Sequence, residues 1–218
     1  MNKRMFKMSC LAFGLVAMPL AYPAGSGPAS APAAPRTGNP EPGDAAAAAL
    51  RSYNDGVKLV QRADQAGADA NKARKDYLAA LKKFESAVEG KPEMAEAWNY
   101  IGYCRRQSGD YGGALGAYDE ALRLKPGFPE AIEYRGHAYL GLGRVDDSKA
   151  AYLDLFGRNR ALAGKLLAAI RDWSGAQRAG GKGDAAQLAT LDTWIAEREQ
   201  VAQQTAALGR VGSAAGWN

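Results

Sequence analysis

An all-α fold, built as a short α-solenoid of stacked helix–turn–helix units, is what this sequence predicts, and three observations carry the prediction. The first is a recurrence at 34 residues. Ala97, Gly102, Gly109 and Tyr118 return as Ala131, Gly136, Gly143 and Tyr152. Tyr77, Ala80, Leu81, Phe84, Ala87, Lys91 and Pro92 return as Tyr111, Ala114, Leu115, Tyr118, Ala121, Lys125 and Pro126. A fixed period in this range marks a stacked repeat. The second is helical spacing: Trp98, Ile101 and Gly102 share one face at i, i+3 and i+4. The third is punctuation. Gly109 ends one helix, Asp110 is placed to cap the next, and Pro126 closes the unit.

The chain opens with MNKRMFK and continues as MSCLAFGLVAMPLAYPA. A basic start, an apolar run of about 13 residues and small residues after it predict an export signal over residues 1–24, with Ala21, Ala24 and Ala31 all open as cleavage sites. The run falls short of about 30 Å of hydrocarbon, and Gly14 and Pro19 interrupt it, so no stable membrane span is expected after cleavage. Lys7-Met8-Ser9 before Cys10 does not fit a lipid anchor. Residues 25–47 are mostly Ala, Pro, Gly and Ser, too poor in large apolar groups to offset ordering entropy, and read as a disordered linker.

Three repeat units are expected over residues 48–160. In the first, the second helix is regular (Tyr77, Ala80, Phe84, Ala87, Pro92), but the opening segment SYNDG is displaced. Gly56 precedes Gly102 by 46 residues, 12 more than the period. The excess is expected near Ala63–Arg74, absorbed by lengthened helices or by an enlarged turn. Asp55 stands where an apolar residue is expected. The second unit, Ala95–Pro126, is the most regular, with Trp98, Ile101 and Gly102 on its first helix and Ala114, Tyr118 and Ala121 on its second. Its small residues allow close helix approach, with Trp98 and Tyr118 filling the crevices beside it. Gly102 accepts a cost of about 1 kcal/mol in helix propensity for that contact. The third unit, Pro129–Arg160, keeps Ala131, Gly136, Tyr139, Gly143 and Tyr152, but carries Ile132, Ser148 and Arg160 where the second has tryptophan, alanine and proline.

This alternation of small and large residues resembles the tetratricopeptide repeat, whose helical hairpins stack into a solenoid. Beyond residue 160 the period is lost. Leu162, Leu166, Ile170 and Trp173 make one stripe, and Leu188, Leu191, Ile195, Ala202 and Thr205 another. They are expected to form a capping helix pair over 161–208, since solenoids need end units that cover the last apolar face. Residues 209–218 are read as a flexible tail.

Composition narrows the function classes. Removing Lys3, Arg4 and Lys7 with the signal lowers the net charge from +5 to +2, and no dense basic stripe with interleaved aromatics remains, which argues against nucleic acid. Cleavage also removes Cys10, leaving Cys104 without a disulfide partner. It is read as packing material, although neighbouring arginines would favour a thiolate. His137 has Glu133 four residues before it, a pair expected at the surface, without a nucleophile to complete a catalytic set. One histidine and one cysteine do not make a metal site. Gly175–Asp184 lacks the Gly-Lys-Ser/Thr order of a phosphate loop and is read as a connector. No catalysis, metal or cofactor is expected.

The resemblance implies that first helices of successive repeats line a concave groove that holds a peptide or helix. On this chain the groove positions are Asn99, Tyr100, Tyr103 and Arg106, then Glu133, Tyr134, His137 and Leu140. Tyrosines and arginines are common interface anchors. The lysines with which some relatives grip a chaperone's terminal peptide are missing from this face. The expectation is an exported scaffold or adaptor for another protein, in the periplasm or cell envelope. An oligomerisation or envelope-assembly unit and an accessory subunit of an enzyme are the alternatives.

Overall fold

The computed structural model describes residues 42–214. Among them are eight α-helices and no strand: α1 (Pro42–Asp64), α2 (Ala70–Gly90), α3 (Ala95–Gln107), α4 (Tyr111–Leu124), α5 (Pro129–Gly141), α6 (Val145–Arg158), α7 (Arg160–Ala179) and α8 (Ala185–Ala214). Consecutive helices pair as antiparallel hairpins, and each hairpin packs on the next, with α3 against α5 and α5 against α7. The expected signal segment lies outside the described residues. Helix α1 begins at Pro42, inside the stretch read as linker, and α8 runs to Ala214, inside the stretch read as tail.

Local chemistry sets the turns. Gly109 and Gly143, one period apart, adopt φ of +90° and +72°, conformations that a side chain would strain. Asp110 caps α4 by accepting from the Gly113 amide at 2.9 Å, as its position predicts. Asp69 caps α2 and Asn159 caps α7 in the same way. The 12 extra residues of the first unit go chiefly into helix length: α1 and α2 have 23 and 21 residues, against 13 and 14 for α3 and α4. Asp55 sits in solvent beside Lys58, while neighbouring Gly56 is buried, so α1 docks despite the acid.

The core is in two parts. One joins α1, α2 and α3 around Val60, Tyr77, Phe84, Ile101 and Cys104. The other joins α5 to α8 around Ile132, Tyr152, Leu155, Leu166, Ile170 and Ile195. Small clusters at Ala114–Tyr118–Ala138 and Ala121–Phe128–Ala131 bridge them. Gly102 admits a side chain where close backbone contact was expected: a Cβ there would lie 2.5 Å from the Tyr118 ring. Trp98 corrects the sequence reading. It is only half-buried, because its indole NH donates to the Pro92 carbonyl at 2.8 Å near the surface.

Candidate functional site

The eight groove positions do not form an open groove. Asn99, Tyr103, Glu133 and Leu140 are 5, 2, 1 and 6 % exposed, so four of the eight are interior. Tyr100, Arg106, Tyr134 and His137 are half-buried. The physical reason is that α3 packs against α5, with Tyr103 against Tyr134, and side chains of α1 and α2 close over α3 from the other side. Leu140 leaves the site altogether and packs with α6 and α7. Tyr100 stacks flat on Phe84 with ring centres 4.8 Å apart, and meets Tyr53 of α1 edge-on.

What the fold does gather is a polar and aromatic cluster between α3, α4 and α5. The Arg106 guanidinium lies over the rings of Tyr103 and Tyr134, at 5.2 and 5.6 Å from their centres. Those rings are themselves 5.2 Å apart, and Tyr118 lies 6.3 Å from Tyr134. Burial works against the Arg106 charge, but the nearby oxygens of Tyr118, Tyr103 and Glu133 outweigh it and raise its pKa above the ordinary guanidinium value. Burial likewise pushes the Tyr118 hydroxyl well above the usual phenol range, against the pull of Arg106.

Glu133 and His137 are paired as their spacing predicts, with Oε1 and Nε2 3.1 Å apart, but inside the molecule and not at its surface. The other Glu133 oxygen and Asn99 Oδ1 are buried without a hydrogen-bond partner, while the buried Arg106 guanidinium leans on the Tyr118 hydroxyl. Such groups are normally satisfied in native proteins, and each orphan costs about 1–3 kcal/mol. The orphaned oxygens stand on the adjacent helices α3 and α5.

A second network ties this cluster to the first hairpin. Asp64 accepts from the Tyr77 hydroxyl at 2.6 Å and the Tyr103 hydroxyl at 2.9 Å, and Gln107 donates to Tyr103 at 3.0 Å. Sequence reasoning missed Asp64 because it falls in the insertion, where no recurrence marks it. It missed Tyr118 as a polar neighbour because that ring was assigned wholly to packing. Cys104 is fully buried, and burial pushes its thiol far above the ordinary range, as suits packing and not reactivity. Among the described residues, no three His, Cys, Asp or Glu side chains gather as metal ligands, and no helix is long and apolar enough to cross a membrane.

This geometry defines a class first: an all-α stack of hairpins with an aromatic, cation-bearing inner face. Residues 62–129 match the family model of the tetratricopeptide repeat, from the end of α1 through α4. Among solved structures, the first tetratricopeptide domain of Spaghetti (RPAP3), bound to the HSP90 peptide SRMEEVD, is 16 % identical, with a TM-score of 0.48, over 61 % of this chain and 95 % of that one. The C-terminal tetratricopeptide-containing domain of a Plasmodium falciparum FK506-binding protein is 14 % identical, with a TM-score of 0.45, over 64 % of this chain and 97 % of that one. MamA is 18 % identical, with a TM-score of 0.42, over 74 % and 92 %. No curated protein matches. The described helices are a short α-solenoid of stacked helical hairpins ending in a helix pair, of which residues 62–129 match the tetratricopeptide repeat.

Proposed function

We propose that this chain is an exported, non-enzymatic scaffold or adaptor that holds a peptide or helix of another protein against the inner face of α1, α3 and α5. One observation carries the reading: buried Asn99 Oδ1 and Glu133 Oε2, on the inner helices α3 and α5, have no hydrogen-bond partner, and partly exposed Tyr100 and Tyr134 stand on the same two helices. A segment that displaces the Tyr134 ring would supply main-chain donors to these oxygens. It would also gain the apolar area of two tyrosines, residues that anchor interfaces well. The tetratricopeptide match supports the reading, since such arrays present first helices to their partners. The basic start and apolar run at the amino terminus support export to the periplasm or envelope.

A photo-crosslinking residue in place of Tyr134 tests this, with the same residue at Leu153, exposed on α6, as control. A single partner captured from the inner position and not from Leu153 is expected. Equal capture from both positions, or none from Tyr134 in a normally folded protein, would overturn it.

A further inference from the structure

The two sides of the molecule treat their cations differently. From Arg105 to Arg158, every lysine and arginine except Arg106 is within ion-pair distance of a carboxylate: Arg105 with Glu85, Arg123 with Glu120, Lys125 with Glu96, Arg135 with Asp119, Arg144 with Asp147, Lys149 with Asp146 and Arg158 with Asp154. On α2 the pattern inverts. Lys72, Arg74, Lys75, Lys82 and Lys83 are all exposed and, among the described residues, have no carboxylate within 4 Å. Of the acids on α2, Asp76 is held chiefly by Arg62 and Glu85 by Arg105, and Glu89 is exposed at the helix's C-terminal end.

Helical spacing places Lys72, Lys75, Lys82 and Lys83 on one side, at i, i+3, i+10 and i+11. Lys75 and Lys82 lie opposite Ala73, Tyr77, Ala80, Phe84 and Ala87, which are buried against α1 and α3, and Lys72 and Lys83 lie on the flank between. Leu78, 39 % exposed, stands among the lysines. Among the described residues no aromatic stands exposed on this face, so it offers no ring on which a base could stack. It also offers ammonium groups, not the guanidinium forks suited to paired recognition of a single phosphate or carboxylate. Lysines in a row with one apolar side chain between them match a diffuse anionic surface bearing an apolar layer beneath it.

We propose that the outer face of α2 docks on anionic phospholipid headgroups, holding the solenoid at a bilayer with its inner face turned away and free. The site is separate from the inner-face cluster and does not depend on what binds there. Each basic residue near an anionic bilayer contributes about fivefold to binding, and the attraction decays within a Debye length.

The test is flotation of the full chain with vesicles of phosphatidylcholine alone and with added phosphatidylglycerol. Binding to neutral vesicles sets the baseline, including whatever the amino-terminal apolar run adds. The phosphatidylglycerol-dependent part should be lost in high salt and fall at least tenfold in Lys75→Glu with Lys82→Glu. Lys75→Gln with Lys82→Gln should fall less. Both pairs are exposed and unpaired, so circular dichroism should show normal melting; should the glutamate pair unfold, the glutamine pair decides. Lys165→Glu with Lys182→Glu makes the same charge change elsewhere and should leave binding intact. The proposal is overturned by no phosphatidylglycerol-dependent binding, by equal loss in the control pair, or by tighter binding to a single-stranded oligonucleotide than to vesicles at equal salt.

Discussion

Hairpin α1–α2 runs 23 and 21 residues per helix, whereas α3–α4 runs 13 and 14. The long hairpin cannot close with the contacts of the short one, because its turn lies a helical turn or more beyond them. It closes with its own: Arg62 grips Asp76 through Nε and Nη2 at 2.8 and 2.6 Å, and Asp64 gathers two tyrosine hydroxyls. The short hairpin relies on Tyr118 seated against Gly102 and on ion pairs across neighbouring helices, such as Lys125–Glu96. Yet the glycine–ring fit survives in both, since Gly56 lies under Phe84 as Gly102 lies under Tyr118. The shared ring seat holds each hairpin together, and the turn region is free to lengthen when local polar contacts replace those of the period.

The largest expected effect tests that shared seat. Phe84→Ala should cost about 3–5 kcal/mol, the range for a fully buried aromatic, since Phe84 has no exposed surface and carries Tyr53 and Tyr100. Trp98→Ala should cost clearly less, because that side chain is already partly exposed. Urea unfolding of the two variants decides it, and equal losses would break the distinction between seat and rim.

Next is the seat from its other side. A Cβ at Gly102 would meet the fully buried Tyr118 ring at 2.5 Å, so Gly102→Ala should destabilise by about 1–3 kcal/mol despite alanine's better helix propensity. Gly56→Ala, meeting Phe84 at 2.8 Å, should behave alike. A stabilised Gly102→Ala in the same unfolding assay would show that the ring moves and that the fit does not hold the hairpin.

A smaller effect separates the hairpins by pH. The Arg62 hydrogen bonds hold the Asp76 carboxyl below the ordinary carboxylate range. A carboxylate with a lowered folded-state pKa stabilises fully above its ordinary value, and that contribution is lost as pH falls through the lower folded value. Arg62→Ala should therefore melt lower than wild type at neutral pH, with the gap closing in acid below the ordinary Asp range. Melting curves across that range check it, and a gap constant with pH would show that Arg62 acts by packing alone.

Much of this fold was legible because packing repeats. Gly102, Tyr118 and the Gly109–Asp110 turn recur or cap for reasons that spacing reveals. The inner face was legible only as a set of positions. Whether Tyr103 reaches solvent depends on Tyr77, Asp64 and Tyr134, three residues on three other helices, and no single-helix pattern contains that. Trp98 misled for a related reason: its place in the period is a core place, but a carbonyl at Pro92 draws its NH outward. The basic face of α2 was hidden by bulk charge, since pairing of cations elsewhere is a tertiary fact.

The smallest prediction transplants one residue between the hairpins. Gly116 of α4 stands 34 residues after Lys82, so the short hairpin has glycine where the long one has an exposed lysine. Gly116 is exposed, and a Cβ there would meet nothing within 4 Å. It therefore serves no ring seat, unlike Gly102, and carries only the entropic cost of glycine in a helix. Gly116→Lys should stabilise by about 0.5–1 kcal/mol, the difference in helix propensity, and thermal unfolding measures it. If the variant is instead destabilised, the glycine is needed for a contact on the outer face of α4, and the two hairpins differ there by design and not only in charge.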